Sequence, residues 1–268
     1  MILVKMMGGL GNQLFQYSFA RFLERKLGEP VWMDTLFFLT HRQRRPELEN
    51  LGIRYRKSVG ARYLWYRLNA SDFRRWEEKD FDPDRSDTGS GKGMFFWGYW
   101  QQAEYAGAGR KGILEGLGRF RKRREVKRLA DEILADDSVS IHVRRGDYRG
   151  IPKFRLLDRE YYDQASKTLD VRNNSKIYLF SDEPGVEKEI FPGYTNLVRM
   201  SDFGLKDFEE FYLMSLCRRN IAANSTFSWW ASFLNEREGR SIVLPKIWTT
   251  GPGSFDISKY MFDGVQVV

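Results

Sequence analysis

The sequence predicts an α/β protein made of two βαβ-type halves. The chain opens with strand, glycine-rich turn and helix in one run, ILVKMMGGLGNQLFQYSFARFLERKLG. From Val139 to Pro245, short apolar runs alternate with helical stripes, and such alternation calls for a parallel sheet covered by helices on both faces. The residues that leave those runs are polar, at the edge where parallel sheets bind ligands.

The elements follow in order. Ile2–Met6 is the first strand and Gly8 to Gly11 the turn. Phe15, Phe19, Leu23 and Leu27 recur at four-residue spacing as a helix stripe, which Gly28 stops. Pro30–Asp34 is the second strand, Asp84–Gly93 a polar loop, and Met94–Gln101 a buried strand ending in polar groups. In the second half Val139, Ile141 and Val143 alternate with Ser140, His142 and Arg144, the period of a strand. Asp158 caps a helix carrying Tyr161, Ala165 and Leu169. Lys176–Phe180 is a strand, and Pro184 opens a short helix at its first turn. Asn196–Met200 is a strand, Phe208, Phe211, Tyr212 and Leu216 a helix stripe, and Asn220–Ala223 a short buried strand. Phe227–Glu236 is a helix and Ser241–Pro245 the final strand. The halves are expected at 1–136 and 137–268, with the last segment packing back on the first half.

Composition narrows the function classes. The 268 residues, 42% of them hydrophobic, fill one large domain or two small ones. A net charge of +8 points to an anionic partner. Arg119–Arg128 holds seven basic residues in ten and reads as a solvated face or as a contact with anionic lipid headgroups. Nucleic acid is not expected, because zinc-finger spacing and RNP-type strands are absent. A lone Cys217 excludes an internal disulfide and fits a reducing compartment. His41 and His142 with one cysteine cannot build a multi-His metal site, so no metal is expected. Ile2–Met7 is too short for a secretory signal, and no apolar stretch is long enough to span a bilayer. The expected location is the cytoplasm, peripheral on the inner face of a bacterial membrane.

Several motifs carry chemistry. In GGLGNQL the third glycine of the dinucleotide fingerprint is replaced by Leu14, yet Asp34 ends the second strand where a ribose-binding acid would lie. An NAD(P)-dependent oxidoreductase is therefore the competing reading. Asn12 and Gln13 place two amides at the helix start, where they can bond a sugar or phosphate; Asn12 can instead cap the helix. In HVRRGDY, Arg144 and Arg145 leave a buried strand at the ligand-binding edge. Guanidinium forks match phosphate oxygens, and two buried cations must be answered by a diphosphate or by acids such as Asp147. In FSDEP, Asp182 can accept from guanine N1–H and N2–H₂ or from ribose hydroxyls, or cap the following helix. Asn224, Ser225 and Thr226 leave a strand just before a helix and make a neutral anion site. Trp229 and Trp230 read as core. Asp82 and Asp84 form a weak D-x-D metal candidate in a polar loop, and GSGKG is not a Walker loop.

Together GGLGNQLFQYSFAR, GYWQ, HVRRGDY, FSDEP and NSTFSWWASFL resemble the α-1,2-fucosyltransferases of glycosyltransferase family 11. HVRRGD also fits the H-x-R-R-x-D signature shared with α-1,6- and protein O-fucosyltransferases. The resemblance implies a GT-B-type architecture of two Rossmann-like domains facing a cleft. It implies GDP-β-L-fucose as donor, no further cofactor, and an oligosaccharide with terminal galactose as acceptor, fucosylated at O2; a different linkage is the alternative. By the same resemblance Arg144 and Arg145 hold the pyrophosphate, and His142 and Asp182 lie near the nucleoside. Asn224, Ser225 and Thr226 support the phosphates, while Gly11, Asn12 and Gln13 reach over the fucose from the facing domain. Transfer would be inverting and metal-independent. Arg144 stabilises the departing diphosphate, and Asp147 acts as general base or else orients Arg145. The stretch SDEPGVEKEIF departs from the family in lacking a tryptophan soon after the S-D pair.

Overall fold

The computed structural model describes residues 1–58, 65, 68–84, 93–172, 175–250 and 255–268. The chain divides into two compact units, Met1–Gly116 and Leu117–Val268.

The first unit holds a parallel sheet of five strands: β1 (Ile2–Lys5), β2 (Val31–Asp34), β3 (Lys57–Ser58), β4 (Phe73–Glu77) and β5 (Gly93–Trp97). Their order is β3-β2-β1-β5-β4. The helices are α1 (Leu10–Leu27), a single turn α2 (Phe37–Thr40) and α3 (Ala103–Leu117). Gly28 stops α1 as expected, at φ 69° with its N–H on the Glu24 carbonyl at 3.0 Å. The N-cap of α1 is Gly9 in extended conformation, not Asn12, which lies inside the first turn. Phe19 anchors the core, its ring stacked on Trp100 at 3.9 Å and edge-on to Phe96 and Phe81. α1 and α3 meet at Gly109, where a Cβ would sit 2.1 Å from Ser18 Oγ and 3.0 Å from its Cα. Gly109→Ala is therefore expected to destabilise the chain by about 1–3 kcal/mol through overpacking, read as a lower urea midpoint at unchanged m-value. The Asp84–Gly93 loop expected from sequence lies mostly outside the described residues, which resume at Gly93. Asp84 donates its N–H to the Asp82 carboxylate at 2.9 Å and pairs with Lys26 at 3.3 Å.

The second unit opens with α4 (Arg124–Ala135), followed by β6 (Ser138–Val143), α5 (Arg159–Thr168), β7 (Lys176–Ser181) and α6 (Val186–Ile190). Then come β8 (Leu197–Arg199), α7 (Asp207–Ser215), β9 (Arg219–Ile221), α8 (Thr226–Phe233), β10 (Ser241–Leu244) and β11 (Val265–Val267). The strand order β11-β10-β9-β6-β7-β8 becomes 3-2-1-4-5-6 when the strands are counted from β6 and read from the other edge, the Rossmann order. Every pairing in both sheets is parallel. β6 is buried on both faces. Val139, Ile141 and Val143 join a core with Tyr161, Tyr162 and Ala165 of α5 and Val186 and Ile190 of α6. On the other face Ser140 Oγ accepts from Asn220 Nδ2 at 2.6 Å, and Asn220 Oδ1 accepts from Asn235 Nδ2 at 2.7 Å. Trp229 and Trp230 are fully buried, as expected, with Trp229 Nε1 donating to the Tyr260 carbonyl at 2.9 Å.

Three placements differ from the sequence reading. The division falls between Gly116 and Leu117, not at residue 136, because α4 buries Val126, Leu129, Ala130 and Ile133 and packs against α7. The last segment belongs to the second sheet, where β11 pairs with β10. Pro184 stands two residues before α6, whose start is set by Gly185 at φ 77°. Along the basic segment Arg123 pairs with Glu209, and Arg128 with Glu125 and Glu132. Among the described residues no helix is long and apolar enough to cross a membrane.

Candidate active site

The arginine pair leaves β6 at the carboxyl edge of the second sheet, and Asp182 leaves the adjacent β7. Asp182 Oδ1 accepts the backbone N–H groups of Arg145 at 2.9 Å and Gly146 at 3.1 Å. Its Oδ2 lies 3.0 Å from Arg144 Nη1. Asp182 thus fixes the backbone turn and the guanidinium together, and does not cap α6. This contact explains Gly146, where a Cβ would lie 2.7 Å from Asp182 Oδ2. Gly146→Ala must displace that carboxylate and is expected to destabilise the chain by about 1–3 kcal/mol, the scale of overpacking, read as a lower urea midpoint.

Arg144 has a second anchor, Asp147 Oδ1 at 2.8 Å from Nη2. Its side chain remains 26% exposed, and its buried Nε makes no hydrogen bond among the described residues. The Tyr148 ring lies 5.5 Å away. Burial pushes that phenol up to about 12, so its hydroxyl stays protonated and donates to the Asn224 carbonyl at 3.0 Å. The loop after β6 is in this way tied to the exit of β9.

Arg145 faces elsewhere. It is buried, with Nη1 on Glu189 of α6 at 2.6 Å and Nη2 on the Leu157 carbonyl at 3.5 Å. The pyrophosphate role implied for Arg145 does not fit this orientation; it is a strut between the loop and α6. Asp147 likewise pairs with Arg144, not Arg145.

His142 is buried one residue before Val143, its ring 5.7 Å from Phe227. Burial, and then the charge of Arg144, lower its imidazole to about 3, so it is neutral at any working pH. An unfolded chain binds that proton near pH 6.5, whereas the folded one does not until about 3. Stability is therefore fully present above pH 6.5 and falls by roughly 1.4 kcal/mol per unit between 6.5 and 3. Urea midpoints from pH 7.5 to 4.5 are expected to drop more steeply for the wild type than for His142→Asn.

At the exit of β9, Asn224 Nδ2 donates to the carbonyls of Arg155 at 2.7 Å and Trp248 at 3.0 Å, and its buried Oδ1 has no partner among the described residues. Asn224 is a brace under the site. Ser225 caps α8 by accepting the Phe227 N–H at 3.3 Å, and Thr226 is the first helical residue. Asp182, Arg144, Asp147, Tyr148, Ser225 and Thr226 thus share one edge.

The glycine turn of the first unit is a separate construction. Gly8 takes φ 78°, and a Cβ there would sit 2.5 Å from Asn12 Nδ2. Gly11 is buried in the first turn of α1. Gln13 is fully buried: Nε2 donates to the carbonyls of Gly8 at 3.0 Å and Arg45 at 2.8 Å, and Oε1 accepts the Glu47 N–H at 2.7 Å. It staples the turn to the 45–47 segment and is not poised for a ligand, contrary to its implied role. Asn12 Oδ1 accepts from Gln101 Nε2 at 2.7 Å. Sequence reasoning missed Gln16, which accepts the Met7 N–H at 2.9 Å and donates to the Gly98 carbonyl at 3.1 Å, and Glu78, which holds the N–H groups of Tyr99 and Gln101. Asp34 is buried, its carboxylate accepting the Leu36 N–H at 3.0 Å, and burial raises its pKa; it is not offered to a ribose. Among the described residues no group of three or more histidine, cysteine or acidic side chains is placed to hold a metal ion.

The second unit is a Rossmann-ordered sheet with charged side chains gathered at its carboxyl edge, and comparison with known families specifies the class. The model of glycosyl transferase family 11 matches residues 1–251, and the chain belongs to that family and is a glycosyltransferase. The O-antigen biosynthesis glycosyltransferase WbnK of Escherichia coli is 30% identical over 91% of this chain and 93% of its own. The alpha-1,2-colitosyltransferase of Escherichia coli is 26% identical over 92% of both chains. Among solved structures, the fucosyltransferase NodZ from Bradyrhizobium covers 87% of this chain and 92% of its own, at 13% identity and a TM-score of 0.48.

Proposed function

We propose that the protein transfers L-fucose from GDP-β-L-fucose to O2 of a terminal galactose, with inversion and without a metal ion. The observation that carries the reading is Arg144, held by Asp147 and Asp182 with its Nε still unbonded. Fixed in this way, it can take up charge on a departing β-phosphate without reorganising, which is how preorganised donors lower a barrier. Ser225, Thr226 and the first N–H groups of α8 complete the anion site. His142, being neutral, adds no competing charge.

Inversion sets where the base can stand. A single displacement brings the acceptor hydroxyl to the face of the sugar opposite the departing diphosphate. Asp147, 2.8 Å from the arginine that receives the diphosphate, stands on the departing side. We therefore assign Asp147 to positioning Arg144 and not to proton removal.

GDP is expected to raise the melting temperature, adding about 2.7 kcal/mol at a hundred times its Kd, whereas NADH leaves it unchanged; the reverse result would overturn the donor assignment. EDTA is expected to leave turnover intact. NMR of the product with a galactoside acceptor tests the linkage, and a bond to any position but O2 contradicts it. The 26% relative named for colitose supports a second reading, in which a deoxy analogue of fucose is the sugar. Faster turnover of GDP-colitose than of GDP-fucose would select it. Arg119, Arg124 and Lys127 stay exposed, and a role on an anionic inner leaflet predicts vesicle binding that high salt abolishes.

A further inference from the structure

The donor base needs a reader, and Asp182 is already engaged by Arg144 and by two backbone N–H groups. Resting on the GDP reading above, we propose that Glu210 recognises guanine, its two carboxylate oxygens accepting from N1–H and N2–H₂.

Placement supports this. α7 follows β8 in a parallel sheet, so its first turn, with Glu210, lies at the carboxyl edge. Phe211 beside it meets Phe227 of α8 at 5.3 Å, and Phe227 meets the His142 ring at 5.7 Å. The starts of α7 and α8 and the exit of β6 therefore share one edge. Phe227 is only half-buried there and offers an aromatic surface to a base.

Glu210 also lacks a reason to be where it is. Its neighbour Glu209 accepts the Lys206 N–H at 2.9 Å and pairs with Arg123. The Glu210 carboxyl is half-buried and makes no hydrogen bond or ion pair among the described residues. Burial, and then the charge of Asp207, push it up to about 7. A carboxyl withdrawn from water without a partner is costly, and a ligand offering two adjacent donors relieves that cost. Guanine has such an edge. Adenine offers one donor beside acceptors, and the single N–H of uracil is flanked by carbonyls, so a carboxylate here selects guanine.

GDP and IDP, which lacks the 2-amino group, provide the test. Calorimetric titration of the wild type is expected to show GDP binding about 5- to 150-fold tighter than IDP, the range for one bidentate base contact. In Glu210→Gln that ratio is expected to fall to within about twofold of unity, with GDP weakened more than IDP. Glu210→Asp, which keeps the charge and shortens the reach, should keep part of the preference, and serves if the glutamine variant does not fold. Equal binding of GDP and IDP by the wild type, or an unchanged ratio in Glu210→Gln, overturns the assignment while leaving the donor reading standing. Failure of the wild type to bind either nucleotide defeats the donor reading and this proposal with it.

Discussion

Alanine at position 144 is expected to cut turnover at saturating donor by about 10²–10³-fold, or about 3–4 kcal/mol of transition-state stabilisation, the scale found when one preorganised donor is removed. The loss is expected mainly in kcat, because charge on the β-phosphate grows as the glycosidic bond breaks. Two carboxylates of the site add to it. Without the guanidinium, Asp147 and Asp182 face the diphosphate uncompensated, and the pair that had been neutralised repels it. Arg144→Lys is expected to recover only part of the activity, since one ammonium cannot satisfy carboxylates at 2.8 and 3.0 Å and still present a fork to phosphate. Single-turnover kinetics with GDP-fucose check this, and near wild-type rates in Arg144→Ala would remove Arg144 from the chemistry.

The second large effect is expected at Asp182. Asparagine can keep one oxygen for the N–H groups of Arg145 and Gly146, but its amide nitrogen then meets Arg144 Nη1, donor against donor. Loss of a charge-assisted contact of this kind costs about 1.5–3 kcal/mol. Both partners are about a quarter exposed, so solvent screens part of that and the lower half of the range is expected. The urea midpoint should fall accordingly. Donor affinity should fall as well, and by the same factor for GDP and IDP, because Asp182 acts on the phosphate-binding arginine and not on the base. A change confined to GDP would return the base-reading role to Asp182.

The parallel architecture and the chemical edge were legible because they are local. The Ser140–His142–Arg144 alternation marks β6, Asp158 caps α5 by accepting the Tyr161 N–H at 3.1 Å, and Gly28 stops α1. The arginine pair stood out because two cations beside a buried strand demand an answer. Which arginine is tied back into the protein was not legible, since its partner Glu189 lies 44 positions after Arg145. Gln13 reads as a polar residue at a helix start, which looks like ligand chemistry, and Gln16 carries no motif; their partners, the 45–47 segment for Gln13 and Gly98 for Gln16, leave no pattern near them. The unit boundary was hidden for the same reason. The heavy charge of α4 drew attention to its exposed face, while Val126, Leu129 and Ile133 bind it to the second unit. Glu210 carried no motif at all, and only its burial without a partner sets it apart from Glu209.

In the proposed mechanism a single doubly anchored arginine, Arg144, receives the diphosphate. A crystal structure of the protein with GDP tests it most directly. The β-phosphate oxygens are expected within hydrogen-bonding distance of Arg144, with Ser225 and Thr226 beside them and Arg145 still on Glu189. A diphosphate seated on Arg145, or bound away from the exit of β6, would contradict it.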